Sequence, residues 1–363
     1  MKVRLGDVGQ IITGNTPKTS NVENYSSKDI AFIKPSDIQE DGLTILSGAG
    51  FYISEHAREK ARILNRGCIL VTCIGIVGKV AINSIECAFN QQINAIVPDA
   101  KKCDTKFIAY AIQNQQRRLQ DIANAAVVPI LNKTQFSNIE IPLPPLDEQR
   151  RIAAVLDKVS NLIAKRRAQL DKLDELVKAR FVEMFGDPIN NSKKLSAIPL
   201  GKVCRLKAGI TTPADIIHAR SEEFTVPCYG GNGIRGYVQE ATQEGTYPII
   251  GRQGALCGNV QLATGKFHAT EHAVLVSPLI EMNIIWIYYL LRFMDLYRYH
   301  TGAAQPGLAV KALNAVEIPM VNIESQNKFA DFARQVCALK LTIQQSLDKL
   351  EILKKMLMQE YFG

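Results

Sequence analysis

The second half of the chain repeats the first half at a spacing of 177 residues. The tripeptide Glu-Ile-Pro occurs at 140–142 and again at 317–319, and Leu-Asp-Lys-Leu occurs at 170–173 and again at 347–350. Farther upstream the register slides by a few residues, so insertions are expected in that part of each copy. The sequence therefore predicts an internal pseudo-twofold repeat, in which the same elements occur twice.

Each copy ends in a long apolar seam whose members recur at alternating steps of four and three residues. The seam of the first copy comprises Ile152, Leu156, Val159, Ile163, Arg166, Leu170, Leu173 and Val177. The seam of the second comprises Phe329, Ala333, Val336, Ile343, Leu347, Leu350 and Leu357, with Leu339 and Leu353 beside two lysines that lie in the seam. This spacing is typical of coiled coils. We expect long helices at 147–186 and 324–363 that pair with each other; the alternative is two ordinary solvated amphipathic helices.

The segments that precede these helices, 1–146 and 187–323, consist of short apolar runs between Gly-, Asn- and Pro-rich pieces. Runs such as 69–72, 95–98 and 273–276 predict β-strands, and amphipathic helices are expected around 105–121 and 282–296. The fold class is therefore α+β, with two domains separated by two long helices.

The composition is that of a folded protein that could bind a polyanion. Forty-three Lys and Arg residues against 35 Asp and Glu give a net charge of +8 and a pI near 9.0, which is compatible with a nucleic-acid partner. The eight cysteines form no C-x-x-C pair, which indicates reduced thiols and no zinc site. With neither a signal-peptide core nor an apolar run near the roughly 20 residues of a membrane span, we expect a cytoplasmic location and no membrane contact.

The sequence contains no motif that predicts a catalytic centre. Residues 231–236 match G-x-G-x-x-G, but neither the helix nor the βαβ unit that nucleotide binding requires follows them. His268 and His272 flank Glu271 without the H-E-x-x-H order of a zinc helix. We therefore expect no catalytic residue, no metal site and no cofactor in this chain.

Polar loops punctuated by glycine are the candidate functional sites instead. They carry side chains that contact phosphates and base edges, since Arg and Lys pair with guanine and Asn and Gln pair with adenine. Any single residue of this kind is more often a solvated loop residue than a base reader. The candidates for DNA binding are Asn15, Thr16, Lys18, Lys34, Lys79, Asn90, Gln91, Gln92, Lys133, Tyr229, Asn232, Arg235, Arg252, Gln253, His268, Thr270 and Gln305.

Four stretches of the sequence together resemble the specificity subunit of Type I restriction-modification enzymes. Leu-Gly openings occur at Leu5 and Leu200, the run Ile-Pro-Leu-Pro-Pro-Leu-Asp-Glu-Gln at 141–149 leads into a long helix, and 229–233 read Tyr-Gly-Gly-Asn-Gly. The 141–149 run is the specific signal, and the Leu-Gly openings alone would be weak. The second copy retains Ile-Pro at 318–319 and Gln326 but lacks the following prolines.

The resemblance implies two target-recognition domains at opposite ends of an antiparallel coiled coil, each of which reads half of a split double-stranded DNA sequence. The helices would act as a ruler that sets the gap between the half-sites. Two methyltransferase subunits would dock on the helices, and restriction or translocase subunits would join them. S-adenosylmethionine, ATP and Mg²⁺ would then belong to those partners, and a partner methyltransferase would extrude the target adenine.

Two other functions remain open at this point. The same scaffold could be a non-catalytic adaptor that binds protein through its two α+β domains, or, more distantly, a stand-alone nuclease. Steeply salt-dependent, sequence-selective DNA binding separates the first possibility from a specificity subunit, and nuclease activity of the purified chain would favour the second.

Overall fold

The computed structural model describes residues 1–123, 128–254, 256–302 and 306–363. These residues form two compact units. Unit 1 comprises Met1–Arg167 and Gln345–Gly363, and unit 2 comprises Ala168–Gln344. Each unit therefore contains one of the predicted domains together with a part of each long helix.

Among the described residues, unit 1 is built from short strands, four short helices, the first part of one long helix and the last part of the other, α9 Ile323–Phe362. Its strands are β1 Lys2–Arg4, β2 Gly9–Thr13, β3 Ile30–Ile33, β4 Leu43–Leu46, β5 Tyr52–Ile53, β6 Ile63–Leu64, β7 Ile69–Thr72, β8 Val80–Asn83, β9 Cys87–Phe89, β10 Ile93–Pro98 and β11 Glu140–Pro142. Its helices are α1 Leu5–Val8, α2 Thr105–Asn114, α3 Gln116–Ala123, α4 Lys133–Ser137, the first part of α5 Leu146–Phe185 and the last part of α9.

Two sheets of unit 1 pack face to face. One has the strand order β2-β10-β7-β8-β4 and the other β5-β3-β9-β6. Because successive side chains of a strand point to opposite faces, Ile69 and Val71 of β7 pack with α2 and α5, while Leu70 packs against residues of the second sheet. Buried on both faces, the central strands appear in the sequence as continuous apolar runs.

Unit 2 repeats this plan with fewer strands. Its strands are β12 Ala197–Pro199, β13 Cys204–Ala208, β14 Val226–Gly230, β15 Gly233–Val238, β16 Gln243–Gly251, β17 Val260–Ala269, β18 Ala273–Pro278 and β19 Glu317–Pro319. Its helices are α6 Leu200–Val203, α7 Ile284–Phe293, α8 Val310–Asn314 and parts of α5 and of α9 Ile323–Phe362. The sheet order is β13-β18-β16-β17-β14-β15.

One long strand explains why the two units differ in their sheets. Equivalent backbone hydrogen bonds in the two units align β17 with β8 and β9. Val260 at the start of β17 corresponds to Val80 in β8, and Ala269 at its end corresponds to Phe89 in β9. Unit 1 breaks this strand at Ser84–Glu86, which creates two sheets, whereas unit 2 keeps it continuous. The α+β class and the internal repeat are confirmed.

The long helices α5 and α9 run antiparallel within each unit. In unit 1, Arg167 of α5 pairs with Glu351 of α9 at 2.7 Å, while Phe362 at the end of α9 packs in one cluster with Ile152 near the start of α5. In unit 2, Asp174 pairs with Lys340 at 2.6 Å. The first predicted seam is buried at four of its positions from Ile152 to Ile163, as a coiled-coil helix requires.

In the second seam, two lysines occupy the seam positions at 340 and 354, as the spacing predicts. Leu339 and Leu353 are more than 40% exposed, at 56% and 42%, whereas Lys340 and Lys354 are half-buried beside them. Burial, together with the nearby Arg167, lowers the pKa of Lys354. The lysine stems therefore occupy part of the helix interface, and the two leucines are left at the surface.

A buried glutamine ties each long helix to its domain. Gln149 Oε1 accepts from the Asp104 backbone N–H at 2.9 Å, and its Nε2 donates to the carbonyls of Lys102 and Pro144. Gln326 repeats the arrangement in unit 2, accepting from the Asn283 N–H at 2.9 Å. Both glutamines are 1% exposed. The family motif therefore contains a structural amide that joins the start of a long helix to the start of α2 or α7.

The helix boundaries lie close to those predicted. The two long helices begin and end within one residue of 147–186 and 324–363. The helix expected around 105–121 is divided into α2 and α3, and the one around 282–296 is shorter, with a 3₁₀ turn at Leu296–Tyr299. The functional division at 146, 186 and 323 remains a prediction. Within the described residues, no helix is long and apolar enough to cross a membrane.

The Gln149→Leu substitution tests the structural amide. It keeps the side-chain size but leaves a buried N–H and two carbonyls without their partner, and each such loss costs about 1–3 kcal/mol. We expect the free energy of unfolding to fall by at least about 3 kcal/mol in urea titrations followed by circular dichroism. Gln345→Leu, at an exposed position on α9, is the control. A loss no larger than that of the control would contradict the assignment.

Candidate nucleic-acid interface

In unit 1, backbone hydrogen bonds hold four loops together. We call these four loops and the bonds between them loop frame 1. The loops follow β2, connect β7 to β8, connect β9 to β10, and precede α4. The bonds run from Gly14 N to Ile93 O (3.0 Å), Asn15 N to Phe89 O (3.0 Å), Asn90 N to Ile33 O (3.1 Å), Cys73 N to Gln92 O (2.7 Å), Leu131 N to Cys73 O (2.8 Å), Gly75 N to Pro129 O (3.1 Å), Thr72 N to Lys79 O (3.1 Å) and Gly78 N to Thr72 O (2.8 Å).

Unit 2 contains the same set of bonds, loop frame 2. They run from Gly209 N to Ala273 O (3.0 Å), Ile210 N to Ala269 O (2.9 Å), Thr270 N to Tyr229 O (2.9 Å), Arg252 N to His272 O (3.1 Å), Leu308 N to Arg252 O (2.8 Å), Gly254 N to Pro306 O (3.0 Å), Gly251 N to Asn259 O (2.9 Å) and Gly258 N to Gly251 O (2.7 Å). The two frames therefore match bond for bond. The match pairs Cys73 with Arg252 and Gln92 with His272, so different side chains occupy equivalent positions.

The first loop of each frame passes so close to its neighbour that only glycine fits. A Cβ atom on Gly14 would lie 2.1 Å from the carbonyl oxygen of Asn90, and one on Gly209 would lie 2.1 Å from that of Ala269. Backbone atoms cannot yield as a flexible side chain can. The glycine after β2 or β13 is therefore a condition for closing the frame.

The Gly14→Ala substitution is expected to open loop frame 1. Overpacking of this kind costs about 1–3 kcal/mol, so we expect a lower melting temperature and faster amide exchange in the 90–93 segment. In the control Gly48→Ala, the nearest atom to the new methyl group is the Tyr52 hydroxyl at 3.5 Å, an ordinary contact. Equal behaviour of the two variants would show that the close approach does not hold the frame.

The predicted contact residues of unit 1 differ in exposure. Thr16, Lys18, Gln91 and Lys133 are exposed, and Asn15, Lys34 and Gln92 are half-buried. Lys79 and Asn90 are buried, at 8% and 7% exposed. Lys133 begins the short helix α4, while Thr16, Asn90, Gln91 and Gln92 lie on the loops of frame 1.

Hydrogen bonds orient the amides of frame 1. The Thr16 hydroxyl donates to Gln91 Oε1 at 2.6 Å, and Asn90 Nδ2 donates to Gln92 Oε1 at 2.9 Å. Each glutamine oxygen is thus held by a neighbour, which leaves its NH₂ group directed elsewhere. Asn15 differs, because both ends of its amide bind the backbone of Lys60 and Arg62. It fixes a loop rather than presenting an amide.

The ammonium groups of two lysines of unit 1, Lys79 and Lys34, contact other groups of the protein. Lys79 Nζ donates to the carbonyls of Ile38 at 3.1 Å and Pro35 at 3.4 Å. Its burial favours a structural role, in which it fixes the segment after β3. The Lys34 ammonium lies 3.1 Å from the ring centroid of Phe51, a cation–π contact with a ring that is 54% exposed. This contact could not be predicted from the sequence, because nothing in the local sequence of Phe51 links it to Lys34.

The predicted contact residues of unit 2 are also divided. Asn232, Arg235 and Gln253 are exposed, and Tyr229 and Arg252 are half-buried. Tyr229 packs its ring 5.6 Å from that of Phe267, and burial raises its pKa. Gln305 lies outside the described residues.

His268 and Thr270, at 8% and 0% exposed, are buried within unit 2. The Thr212 hydroxyl donates to the carbonyl of Ile210 at 2.7 Å, so it accepts from His268 Nε2, 2.8 Å away. Burial lowers the pKa of His268, which favours this neutral ring with its proton on Nε2. Their burial favours a structural role for both residues.

The exposed side chains of unit 2 line a recess of about 610 Å³ between the β14–β15 turn and the loop after β16. Asn232, Arg235, Gln253 and His272 contribute polar groups, and Ile234 and Leu256 contribute apolar ones. The sequence alone indicates neither His272 nor the two apolar residues as contact residues. The Gly-x-Val sequence that occurs at both 78–80 and 258–260 is the signal that could have drawn attention to Leu256, since it aligns the two preceding loops.

The structure places the weaker chemical motifs in ordinary elements. Residues 231–236 form the turn and first part of β15, rather than a helix N-terminus. His268 is in β17, and His272 Nε2 lies 3.1 Å from Glu271 Oε1. In the described part of the chain, no group of three or more His, Cys, Asp and Glu residues could hold a metal ion.

Comparison with known proteins places these features in a family. A family model described as "Type I restriction modification DNA specificity domain" matches residues 1–174 and again 194–352. The Type I restriction enzyme EcoprrI specificity subunit of Escherichia coli is 32% identical over 340 residues, which cover 89% of this chain and 84% of the relative. The MjaIX specificity subunit of Methanocaldococcus jannaschii is 25% identical over 327 residues, covering 80% of this chain and 75% of the relative.

A solved structure shows the same fold over the whole chain. The S subunit of a Type I restriction-modification system from M. genitalium has a TM-score of 0.66 and 16% identity, covering 100% of this chain and 96% of that chain. None of these similarities points to an adaptor or a nuclease. The chain therefore belongs to the Type I restriction-modification DNA specificity family, and its function is that of a DNA specificity subunit.

Proposed function

We propose that each loop frame presents the side chains that contact one half of a split DNA target, and that the chain has no active site. The observation that carries this proposal is the bond-for-bond match of two frames that bear different side chains. A duplicated backbone holds the loops in one conformation, and the variable side chains supply sequence-dependent contacts. A target with two unlike halves follows from the unlike pairs, such as Cys73 and Arg252.

The proposed contact set is smaller than the predicted one. In unit 1 it comprises Thr16, Lys18, Lys34, Gln91, Gln92 and Lys133, and in unit 2 Asn232, Arg235, Arg252 and Gln253. Lysines suit phosphates, while the amides and guanidinium groups suit base edges. Arg252 is a candidate base reader, because its backbone is fixed at both N–H and C=O and its guanidinium group can pair with guanine. Asn15, Lys79, Asn90, Tyr229, His268 and Thr270 would position these loops.

Exposed apolar residues on α9 support the proposal that partner subunits dock on the long helices. Leu339, Leu341, Ile352 and Met356 are 56% to 63% exposed, and a docked chain that covered any of them would remove apolar surface from water. We propose two methyltransferase subunits, with restriction or translocase subunits in the full assembly. S-adenosylmethionine, ATP and Mg²⁺ would then be bound by these partners, and the complex would act in the cytoplasm.

Adenine-methylation mapping tests the division of labour between the frames. We expect co-expression with the methyltransferase subunit to methylate a bipartite sequence. Gln91→Ala should relax the choice of bases in one half only, and Arg252→Ala in the other half only, by about 1–3 kcal/mol of discrimination. The controls are Gln10→Ala in β2 and Arg205→Ala in β13, exposed residues away from the frames.

Either of two results would contradict this proposal. One is a methylated sequence without two separated halves. The other is relaxation of the same half by both variants, which would show that the frames do not read separate half-sites.

A further inference from the structure

In each loop frame, one loop carries an exposed aliphatic side chain between two glycines. This loop joins β7 to β8 in unit 1 and β16 to β17 in unit 2. In unit 1 the loop is Gly75-Ile76-Val77-Gly78, and in unit 2 its counterpart runs from Gly254 to Gly258 and contains Leu256 and Cys257. Val77 and Cys257 are 1% and 2% exposed, whereas Ile76 and Leu256 are 51% and 55% exposed. In each unit a buried residue thus anchors the loop while its neighbour projects into solvent.

Flanking glycines and a hydrogen bond to the carbonyl fix both aliphatic residues, although the donor differs between the two units. All four glycines have a positive φ, between 78° and 88°, a region that favours glycine. The carbonyl of Ile76 accepts from the Thr72 hydroxyl at 2.6 Å, and the carbonyl of Leu256 accepts from the Asn259 N–H at 3.2 Å. Since the carbonyls are held, the side chains keep a defined direction.

The space beside these tips is open. Apart from the adjacent residues in the chain, no described atom lies within 4 Å of a Cβ built on Gly75 or Gly254. Loops are ordinarily polar because they face water, and one exposed aliphatic residue needs no explanation. Here two such residues occupy equivalent, fixed positions of the repeat, although the other side chains of the two loop frames differ. This conservation of character within the repeat indicates that both residues make the same kind of contact.

The surroundings of the tips indicate DNA rather than protein as the occupant. Leu256 lines the recess that also contains Asn232, Arg235 and Gln253, and none of its described lining residues is acidic. The loop of Ile76 is bonded through Cys73 N to the Gln92 carbonyl, next to Gln91. The Leu256 tip therefore lies among side chains proposed to contact base edges, and the Ile76 loop follows a residue that is bonded to the segment carrying Gln91 and Gln92.

We propose that Ile76 and Leu256 each pack against the 5-methyl group of a thymine, one in each half-site. The thymine methyl is the apolar group on the major-groove edges of the base pairs, and aliphatic side chains recognise it by contact alone. This inference rests on the proposed function, in which the loop frames face the DNA. It adds a thymine at a fixed place in each half of the target, read without a hydrogen bond.

The test uses the full chain bound to its methyltransferase subunit and a duplex whose sequence is selected from a random library. Ile76→Ala and Leu256→Ala should each weaken binding about tenfold, because an apolar contact worth several carbons is removed. The slope of affinity against salt should not change, since no phosphate contact is lost. The controls are Ile45→Ala and Leu279→Ala, at residues 52% and 54% exposed that lie outside the frames.

Thymine-to-uracil substitution then locates the contact. Removing one methyl group from the correct thymine should weaken DNA binding by the wild-type protein about fourfold. The same change should have almost no effect on DNA binding by the alanine variant of the corresponding unit. Unchanged binding of the variants, or a loss that adds to that of every uracil substitution, would overturn the proposal. A defect in assembly with the methyltransferase, at unchanged DNA affinity, would assign the tips to a protein contact. Failure of the selection to yield any preferred sequence would instead refute the proposed function.

Discussion

The arrangement of the candidate site depends on the backbone hydrogen bonds that hold the loops of each unit together. A backbone N–H that leaves water needs a partner, and in both frames these partners are backbone carbonyls, which do not change when a side chain changes. The loop conformation is therefore independent of most side chains at the surface. The exception is the close approach at Gly14 and Gly209, where any larger residue would collide with a carbonyl.

This separation of frame and side chain suits a DNA specificity subunit. A repeat that holds its loops by backbone bonds can carry Cys73 in one copy and Arg252 in the other without altering the turn around them. The buried residues next to the frames also differ. Lys79 binds carbonyls from the segment after β3, whereas His268 binds Thr212. The two copies therefore use different buried side chains next to similar loops. In contrast, Gln149 and Gln326 join the two copies to the long helices in the same manner.

The long helices and the repeat could be predicted from the sequence because both depend on local or periodic signals. The seam from Ile152 to Ile163 is buried as its spacing indicates, and the helix ends follow Pro and Gly signals. The candidate site was harder to predict. Lys79, Asn90, His268 and Thr270 have the chemistry of DNA-contacting residues, but their partners lie on strands and loops that the sequence does not place beside them. Ile76 and Leu256 were overlooked for the opposite reason, since an aliphatic residue in a loop carries no polar signal.

Hydrogen–deuterium exchange of the complex, with and without its target duplex, tests the central claim most directly. If the two frames face the DNA, target binding should slow exchange in the peptides that cover 74–78 and 90–92 in unit 1 and 231–235 and 252–254 in unit 2. A duplex with one half-site scrambled should leave the peptides of one unit unprotected. Protection confined to α5 and α9, or equal protection by any duplex, would contradict the claim that the loop frames read the target.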